Sequence, residues 1–425
     1  MTRTLLTLLV MGVIGVPVSG ADDDPLPPIL DASALPTAQE ADLFPLQGGS
    51  HPRFVVSADG GHSIDLGDRR VLWLFGDTVV GHSPDRADVL RFKEELADGQ
   101  VGRCNTAALM TLPAKDRAFE LSYWAPAKGL KNHLPVAGQA IPFVEGESFD
   151  AGDRIWPVGG LRAGDWVYVF IMLTNAAKPE APTRYSLARS PATDPLRFQR
   201  LSARDGRPLV LPFPARVGGA ISLGPLEIGR SPWIEGAYLY SFATYAVRRT
   251  QRRGLPGERT FGMGWATSLV RVPMTRLDEP DAWEVAYGQG RWGKVRESAR
   301  SFFELQGHAV SVHRNECLGK WVAAYAPLAV PTINDELEVV ARVADSPEGP
   351  WSNAVEIFRA PAAPKAGHTP LFGEQPASNI YVAELHPWSS PDGGRTMLLT
   401  FNDARRGRVH AARVDLSRLR IKAGR

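Results

Sequence analysis

From about residue 43 onward the chain is a succession of short apolar runs separated by clusters of Gly, Pro and Asp, the pattern of strands and turns. Helical periodicity is scarce, and DVLRFKEELADG, residues 88–99, is the best helix on offer. Five runs are rich in aromatic residues: RVLWLFGDT from Arg70, WVYVFIMLT from Trp166, AYLYSFATY from Ala237, KWVAAYAPL from Lys320 and RTMLLTFND from Arg395. Apolar side chains follow one another in most of them without strict alternation, so they predict strands covered on both faces. Behind four of the runs comes a segment with small or apolar residues before an arginine. These are LARS at Arg189, LVRV at Arg271, VARV at Arg342 and AARV at Arg413, at spacings of 82, 71 and 71 residues. CNTAALMTL holds the corresponding place behind the first run. Three units then end alike, in DPLRFQRL, PDAWEVAY and GPWSNAVEI, each an expected outer strand entered through a turn.

Self-similarity along a chain is the mark of a repeat architecture. Units of roughly 70–80 residues with about four short antiparallel strands each predict an all-β fold, a five-bladed β-propeller of four-stranded blades with long loops. Packing around a ring buries both faces of each blade and removes most open sheet edges. A β-sandwich, or two small β domains, is the rival arrangement. The propeller is expected as one domain over residues 43–425, behind a Pro-, Ala- and Asp-rich leader at 21–42.

The first twenty residues change the picture by giving an address: Arg3, an apolar stretch from Leu5 to Val16, and Val18-Ser19-Gly20-Ala21 predict a secretory signal over residues 1–20. A secreted or periplasmic protein without an integral membrane span is expected, since no apolar stretch reaches the roughly 18 residues that crossing requires. Composition adds little: 44% apolar and 22% charged residues suit a globular core. With 48 basic and 46 acidic residues, a net charge of +2 provides no global field for nucleic acid. RRTQRRG, residues 248–254, reads as a solvated hairpin tip. Cys104 and Cys317 allow one bridge or two buried thiols.

Propeller geometry would gather the first strand of each blade around one channel. Those strands are expected in FVVSADGGHSIDL, IWPVGG, ISLGPLEIG, HAVSVHR and YVAELHPW. Asp59 precedes Gly60-Gly61 on the first of them, and Asp77 ends the neighbouring apolar run 18 residues later. A hairpin can set the two carboxylates side by side at the channel mouth, with Gly76 allowing close approach. Paired carboxylates cleave glycosidic bonds, one protonating the leaving oxygen while the other activates water or attacks the sugar. Alternatively, Asp77 caps a turn and Asp59 belongs to a plain hairpin loop. Substrate contacts are expected from Glu227, His308, Glu384 and His386, and from Trp156, Trp233 and Trp388 as platforms for a sugar ring. Trp73, Trp166 and Trp321 are expected between blades. No nucleotide, G-x-S-x-G or zinc-protease motif is present, no metal-ligand spacing stands out, and no cofactor is expected.

SADGGHSIDLGDRRVLWLFGDT resembles the opening signature of secreted five-bladed propeller proteins long catalogued as domains of unknown function. VADSPEGPW and ELHPWSSPDGGRTMLLTFND are similar to later parts of the same proteins. Some members of one such family are endo-D-arabinanases acting on mycobacterial cell-wall arabinan. The resemblance implies that Asp59 and Asp77 match the family's acid/base pair and that His386 matches its last-blade histidine. A secreted glycoside hydrolase of a polysaccharide or oligosaccharide is therefore expected. A non-catalytic exported propeller binding glycan or protein, and a polysaccharide lyase using His308 or His386 as base, are the alternatives.

Overall fold

In a computed structural model, the described residues are 54–81, 102–112, 121–123, 153–175, 183–195, 198–252, 259–288, 290–295, 298–302, 309–327, 338–360, 380–390, 392–403, 408–416 and 419. The fold is all-β; apart from three-residue 3-10 turns, the described residues form strands and connections. The leader, the signal, the helix expected at 88–99 and His308 lie outside them. Among the described residues no helix is long and apolar enough to cross a membrane.

The strands form five sheets, each opening with a hairpin. Their hub strands are Phe54–Gly67, Asp153–Ala163, Ala220–Glu235 (which the two-residue strand Arg216–Val217 precedes and pairs), Ser311–Asn315 and Ile380–His386, called first strands below. Each is paired antiparallel to one of the aromatic-rich runs, Arg70–Gly81, Trp166–Asn175, Tyr238–Arg252, Lys320–Tyr325 and Thr396–Asp403. Third strands follow at Thr106–Thr111, Arg184–Pro191, Arg259–Pro273, Glu338–Ala344 and Arg408–Asp415. The first strands touch one another in chain order, and the last touches the first, so their contacts run in a closed cycle around a hub.

Burial explains the unbroken apolar runs. In the second sheet Val167, Val169, Ile171 and Leu173 pack with Leu72 and Leu74 of the first. The interleaved Tyr168 and Phe170 pack with Ile228, Tyr245 and Val247 of the third. Likewise Phe242 and Leu269 of the third sheet join Val312, Ala323 and Tyr325 of the fourth, whereas Val322 and Ala324 join Ala383, Leu385 and Leu399 of the fifth. Successive side chains point to opposite faces, and each face has its own neighbouring sheet.

Three of the four recurrent third-strand arginines, Arg189, Arg271 and Arg342, are structural. Arg189 lies 4.4 Å above the Trp166 ring, which is thereby exposed under a guanidinium instead of buried between sheets. Arg271 covers Tyr238 and Trp292 at 4.4 and 4.1 Å and donates to Glu284. Arg342 donates to the Tyr325 hydroxyl and to the Ser352 carbonyl. Each ties its own sheet together with a cation over, or a hydrogen bond to, an aromatic ring of that sheet.

Candidate functional site

Asp59 and Asp77 come together through a break in register. Ala58 pairs with Thr78 and Gly60 with Phe75, so the single residue Asp59 faces Gly76 and Asp77 in a bulge. The apolar run holds the second strand in place: Leu72 and Leu74 are buried toward the second sheet, while Trp73 packs on His386 and Trp388 of the fifth and stacks on Phe75. Its tip, Asp77, is half-buried, as is Asp59. Asp59 Oδ1 accepts the Gly60 N–H at 2.7 Å, and Asp77 Oδ1 accepts the Trp156 indole N–H at 2.6 Å. Gly60 and Gly61 have φ of 86° and 88°, a conformation open to glycine, so ADGG is a kink built into the strand. A methyl on Gly76 would lie 3.6 Å from Asp59 Cβ and 3.6 Å from Trp156 Cδ1, in the space between them.

Beneath the pair lies a charged network that the sequence did not disclose. His62 Nδ1 is 2.7 Å from Glu384 Oε2 and from Arg230 Nη1. A carboxylate only accepts and a guanidinium only donates, so Nδ1 serves one of the two at a time, as donor to Glu384 or as acceptor from Arg230. Arg230 stands 3.5 Å from the same Glu384 oxygen and donates through Nη2 to Glu227. Burial alone would raise the Glu384 pKa, but His62, His386 and Arg230 outweigh it and hold the carboxyl below its usual range. Burial, followed by the charge on Glu227, pushes the Tyr185 hydroxyl far up.

A second chain of hydrogen bonds starts at Trp388. Burial depresses His386 to about 4, so the ring is neutral near pH 7. One assignment satisfies every partner: Trp388 N–H donates to Ser63 Oγ at 2.6 Å, and Ser63 O–H to His386 Nδ1 at 2.5 Å. His386 Nε2–H then donates to Thr400 Oγ1 at 2.8 Å, and Thr400 O–H to the Gly61 carbonyl at 3.4 Å. His313 is also buried and pushed down to about 4, by burial and then by His386. Among the described residues neither of its ring nitrogens has a hydrogen-bond partner.

Trp156 stands beside the acid pair, whereas Trp388 is half-buried against Ser63, Trp73 and His386, four residues along the hub strand from Asp59. Glu384 retains 18% of its side-chain exposure, enough to meet a ligand. Glu227 and His386 do not: they are 5% and 1% exposed, the first the counter-charge of Arg230 and the second a link between strands. Trp233 is a correction of another kind. It stacks on Tyr240 at 5.2 Å and meets Trp321 at 4.9 Å, which makes it core between the third and fourth sheets at the far end of its strand. His62, Ser63, Arg230 and His313 were missed; the one signal for His62 is a histidine two residues past a kinked glycine on a hub strand. Cys104 is half-buried and Cys317 exposed, and they are not bridged. Among the described residues no group of three or more His, Cys, Asp or Glu could hold a metal ion.

A model of the family described as "Domain of unknown function (DUF4185)" matches residues 50–404. No curated protein matches the chain significantly. Among solved structures, a Bacteroides ovatus protein provisionally described as a hydrolase superposes with a TM-score of 0.52 at 14% identity, over 87% of each chain. Zg3597, a family 117 glycoside hydrolase of the marine bacterium Zobellia galactanivorans, gives 0.44 at 13% identity over 84% of each chain. The GH43_1 enzyme of Xanthomonas citri complexed with xylotriose gives 0.42 at 9% identity, over 88% of this chain and 90% of that one. The first of these likenesses shows a shared fold.

Proposed function

The chain belongs to the DUF4185 family, and from its acid pair we propose that it is an exported hydrolase of glycosidic bonds in a polysaccharide or oligosaccharide. Residues 1–20 would be its export signal, and residues 43–425 one five-bladed β-propeller. The closed cycle of five hub strands supports the propeller reading. The observation that carries the function is the bulge that sets Asp59 against Gly76-Asp77, with both carboxyls half-buried and an indole from the next sheet bound to one of them. In this reading one aspartate protonates the leaving oxygen and the other serves the water or the anomeric carbon. Trp156 and Glu384 face the sugar. The buried Glu227 and His386 support the site from below. A lyase that draws its base from His386 has less support, because that ring is sealed in the hydrogen-bond chain to Thr400; His308, the other candidate base, lies outside the described residues.

The Asp59–Gly60 hydrogen bond favours one second reading, a propeller that binds glycan without cleaving it, because it ties the carboxylate into its own kink. Release of reducing ends from a panel of polysaccharides, arabinan first because of the family resemblance, separates the two. Wild type should cleave at least one polymer, and Asp77→Asn should lose about three orders of magnitude or more of that rate while still binding it. An active Asp77→Asn protein refutes the assignment of the pair. Binding without cleavage by wild type leaves the non-catalytic reading standing.

A further inference from the structure

The two carboxylates of the mouth are held from opposite sides of the first sheet. Asp77 is held from the second sheet, where the Trp156 indole N–H donates to its Oδ1 at 2.6 Å. The hold on Asp59 comes from the fifth sheet and acts through the backbone. Asp59 is followed by two glycines at positive φ, the residue type with the freest main chain. Its Oδ1 accepts the Gly60 N–H, so the carboxylate turns with the peptide that follows it. The far side of Gly60 is gripped by a side chain 342 residues away: Asn402 Nδ2 donates to the Gly60 carbonyl at 2.9 Å. Two residues earlier on the same strand, Thr400 sends its hydroxyl to the Gly61 carbonyl at 3.4 Å. Asn402 and Thr400 are 0% and 2% exposed, so both bonds lie out of reach of bulk water.

The register of the fifth sheet aims these groups. Asn402 pairs with Val409, and a Cβ on Gly61 would come within 2.8 Å of the Val409 side chain. Thr400 pairs with Glu384, whose carboxylate meets His62. Residues two apart on a strand share a face, so two successive rungs of the last sheet bear on Gly60, Gly61 and His62 in turn. On its other side the kink is closed in as well: a Cβ on Gly60 would lie 3.2 Å from the Gly76 nitrogen. The backbone after Asp59 is therefore pinned between its own hairpin partner and the last sheet of the chain, and Asn402 supplies the direct hydrogen bond to it.

We propose that Asn402 is a positioning residue for Asp59: by fixing the Gly60 carbonyl from the last sheet, it sets where the Asp59 carboxylate stands relative to Asp77. The inference rests on the reading of that pair as catalytic, and it makes the seam between the first and fifth sheets the part of the fold on which their spacing depends. Asn315 provides the control, because it makes the same kind of bond elsewhere: it is 1% exposed, and its Nδ2 donates to the Gly394 carbonyl at 2.8 Å. Full-length Asn402→Ala and Asn315→Ala are compared with wild type on arabinan, or on whichever polymer of the panel wild type cleaves, and by hydrogen exchange of the segment Asp59–Ser63 read by mass spectrometry. Both variants should melt earlier than wild type. Asn402→Ala alone should speed exchange in that segment, by about tenfold or more. It alone should also lower kcat, by about one to two orders of magnitude with KM within about twofold, since a shift on the order of 1 Å at a reacting group costs that much. Its pH profile of kcat should move too, because two carboxylates perturb each other according to their separation. Unchanged exchange at the kink in Asn402→Ala overturns the proposal, as does faster exchange with unchanged kcat. An equal fall of kcat in Asn315→Ala also overturns it, by making the effect one of stability. If Asn402→Ala does not fold, Asn402→Leu, which keeps the volume and removes the donor, supplies the second measurement, and a fully active Asn402→Leu overturns the proposal. Faster exchange in Asn402→Ala alone, with no cleavage of any polymer by wild type, would leave the hold on Asp59 standing and remove the hydrolase. Cleavage by Asn402→Ala at the wild-type rate would do the reverse.

Discussion

Phe54–Gly67, at the hub, and Trp166–Asn175, one strand outward in the next sheet, are both paired along their lengths, yet they are built on opposite terms. The hub strand shifts register at four points and carries Asp59, three glycines at positive φ, His62 and Ser63. The second strand runs from Trp166 to Leu173 against its outer neighbour with no shift, and buries Val167, Val169, Phe170 and Ile171 almost completely. The contrast recurs around the ring: Ser231 and Val382 stand at positive φ on hub strands, which also hold Glu227, Arg230, His313, Glu384 and His386. Regular strands that fill both faces supply the packing, and that packing supports the irregular strands that aim polar groups. Polar changes at the hub should therefore cost more than conservative apolar changes one strand out.

The largest break is expected at Arg230. It is 5% exposed and ion-paired with Glu227, itself 5% exposed. Arg230→Met leaves a buried carboxylate without its partner and should cost about 3–5 kcal/mol, read as a fall in the urea midpoint. The same change combined with Glu227→Leu removes both charges and should recover most of the loss. A single variant as stable as wild type would show that the pair is dispensable to the hub.

Lowering the pH attacks the hub without a mutation. His313 and His386 are held at about 4, largely by burial, against about 6.5 in an unfolded chain. Below about pH 6.5 the unfolded state therefore binds more protons than the folded one, so stability falls as the pH drops from there toward 4. The loss at pH 5 is on the order of 2 kcal/mol per histidine. Glu384, held below its ordinary value, adds a loss only further down, as the pH falls below its unfolded pKa and through its lowered folded one. Urea unfolding at pH 7.5 and pH 5 reads the sum, and His386→Gln should flatten the slope. Equal stability at the two pH values would mean that these histidines titrate normally.

A change of one methylene on a second strand should be milder. Ile171→Val, at a site 1% exposed, should cost about 0.5–1.5 kcal/mol and leave both polymer binding and cleavage as they are. A measurable loss of cleavage would show that the second strands do more than support.

The same contrast decides what could be read from the sequence. Second strands repeat because each solves one packing problem, and Arg189, Arg271 and Arg342 repeat because each serves its own sheet, so their spacing revealed the order of the strands. Hub residues do not repeat. Arg230 answers Glu227 on its own strand, with Gly229 at a φ of 110° between them, and His62 answers Glu384, 322 residues away. No local pattern encodes such partners. Glu227 looked like a ligand-facing acid for this reason, although it is the counter-charge of an arginine three residues on. Trp233 sits near a strand end, as a sugar platform would, yet its strand extends to Glu235 and carries the ring into the stack with Tyr240 and Trp321. Asp59 and Asp77 were legible because the hairpin that joins their strands is local.

The smallest change in stability should come from Gly76→Ala, and it draws the line between scaffold and site most sharply. The added methyl would meet Asp59 and Trp156 at 3.6 Å, ordinary van der Waals contact, and Gly76 needs no positive φ. Loss of backbone freedom in the unfolded chain should then leave stability unchanged or raise it by about 0.5 kcal/mol. The methyl nevertheless occupies the space between a carboxylate-bearing strand and the indole that holds the other carboxylate. If a sugar ring enters that space, KM should rise several-fold, or cleavage should fail, in a protein that melts no earlier than wild type. If Gly76→Ala lowers stability instead, the glycine belongs to the packing. If neither stability nor cleavage changes, the sugar lies elsewhere, and the space between Asp59 and Trp156 is not part of its path.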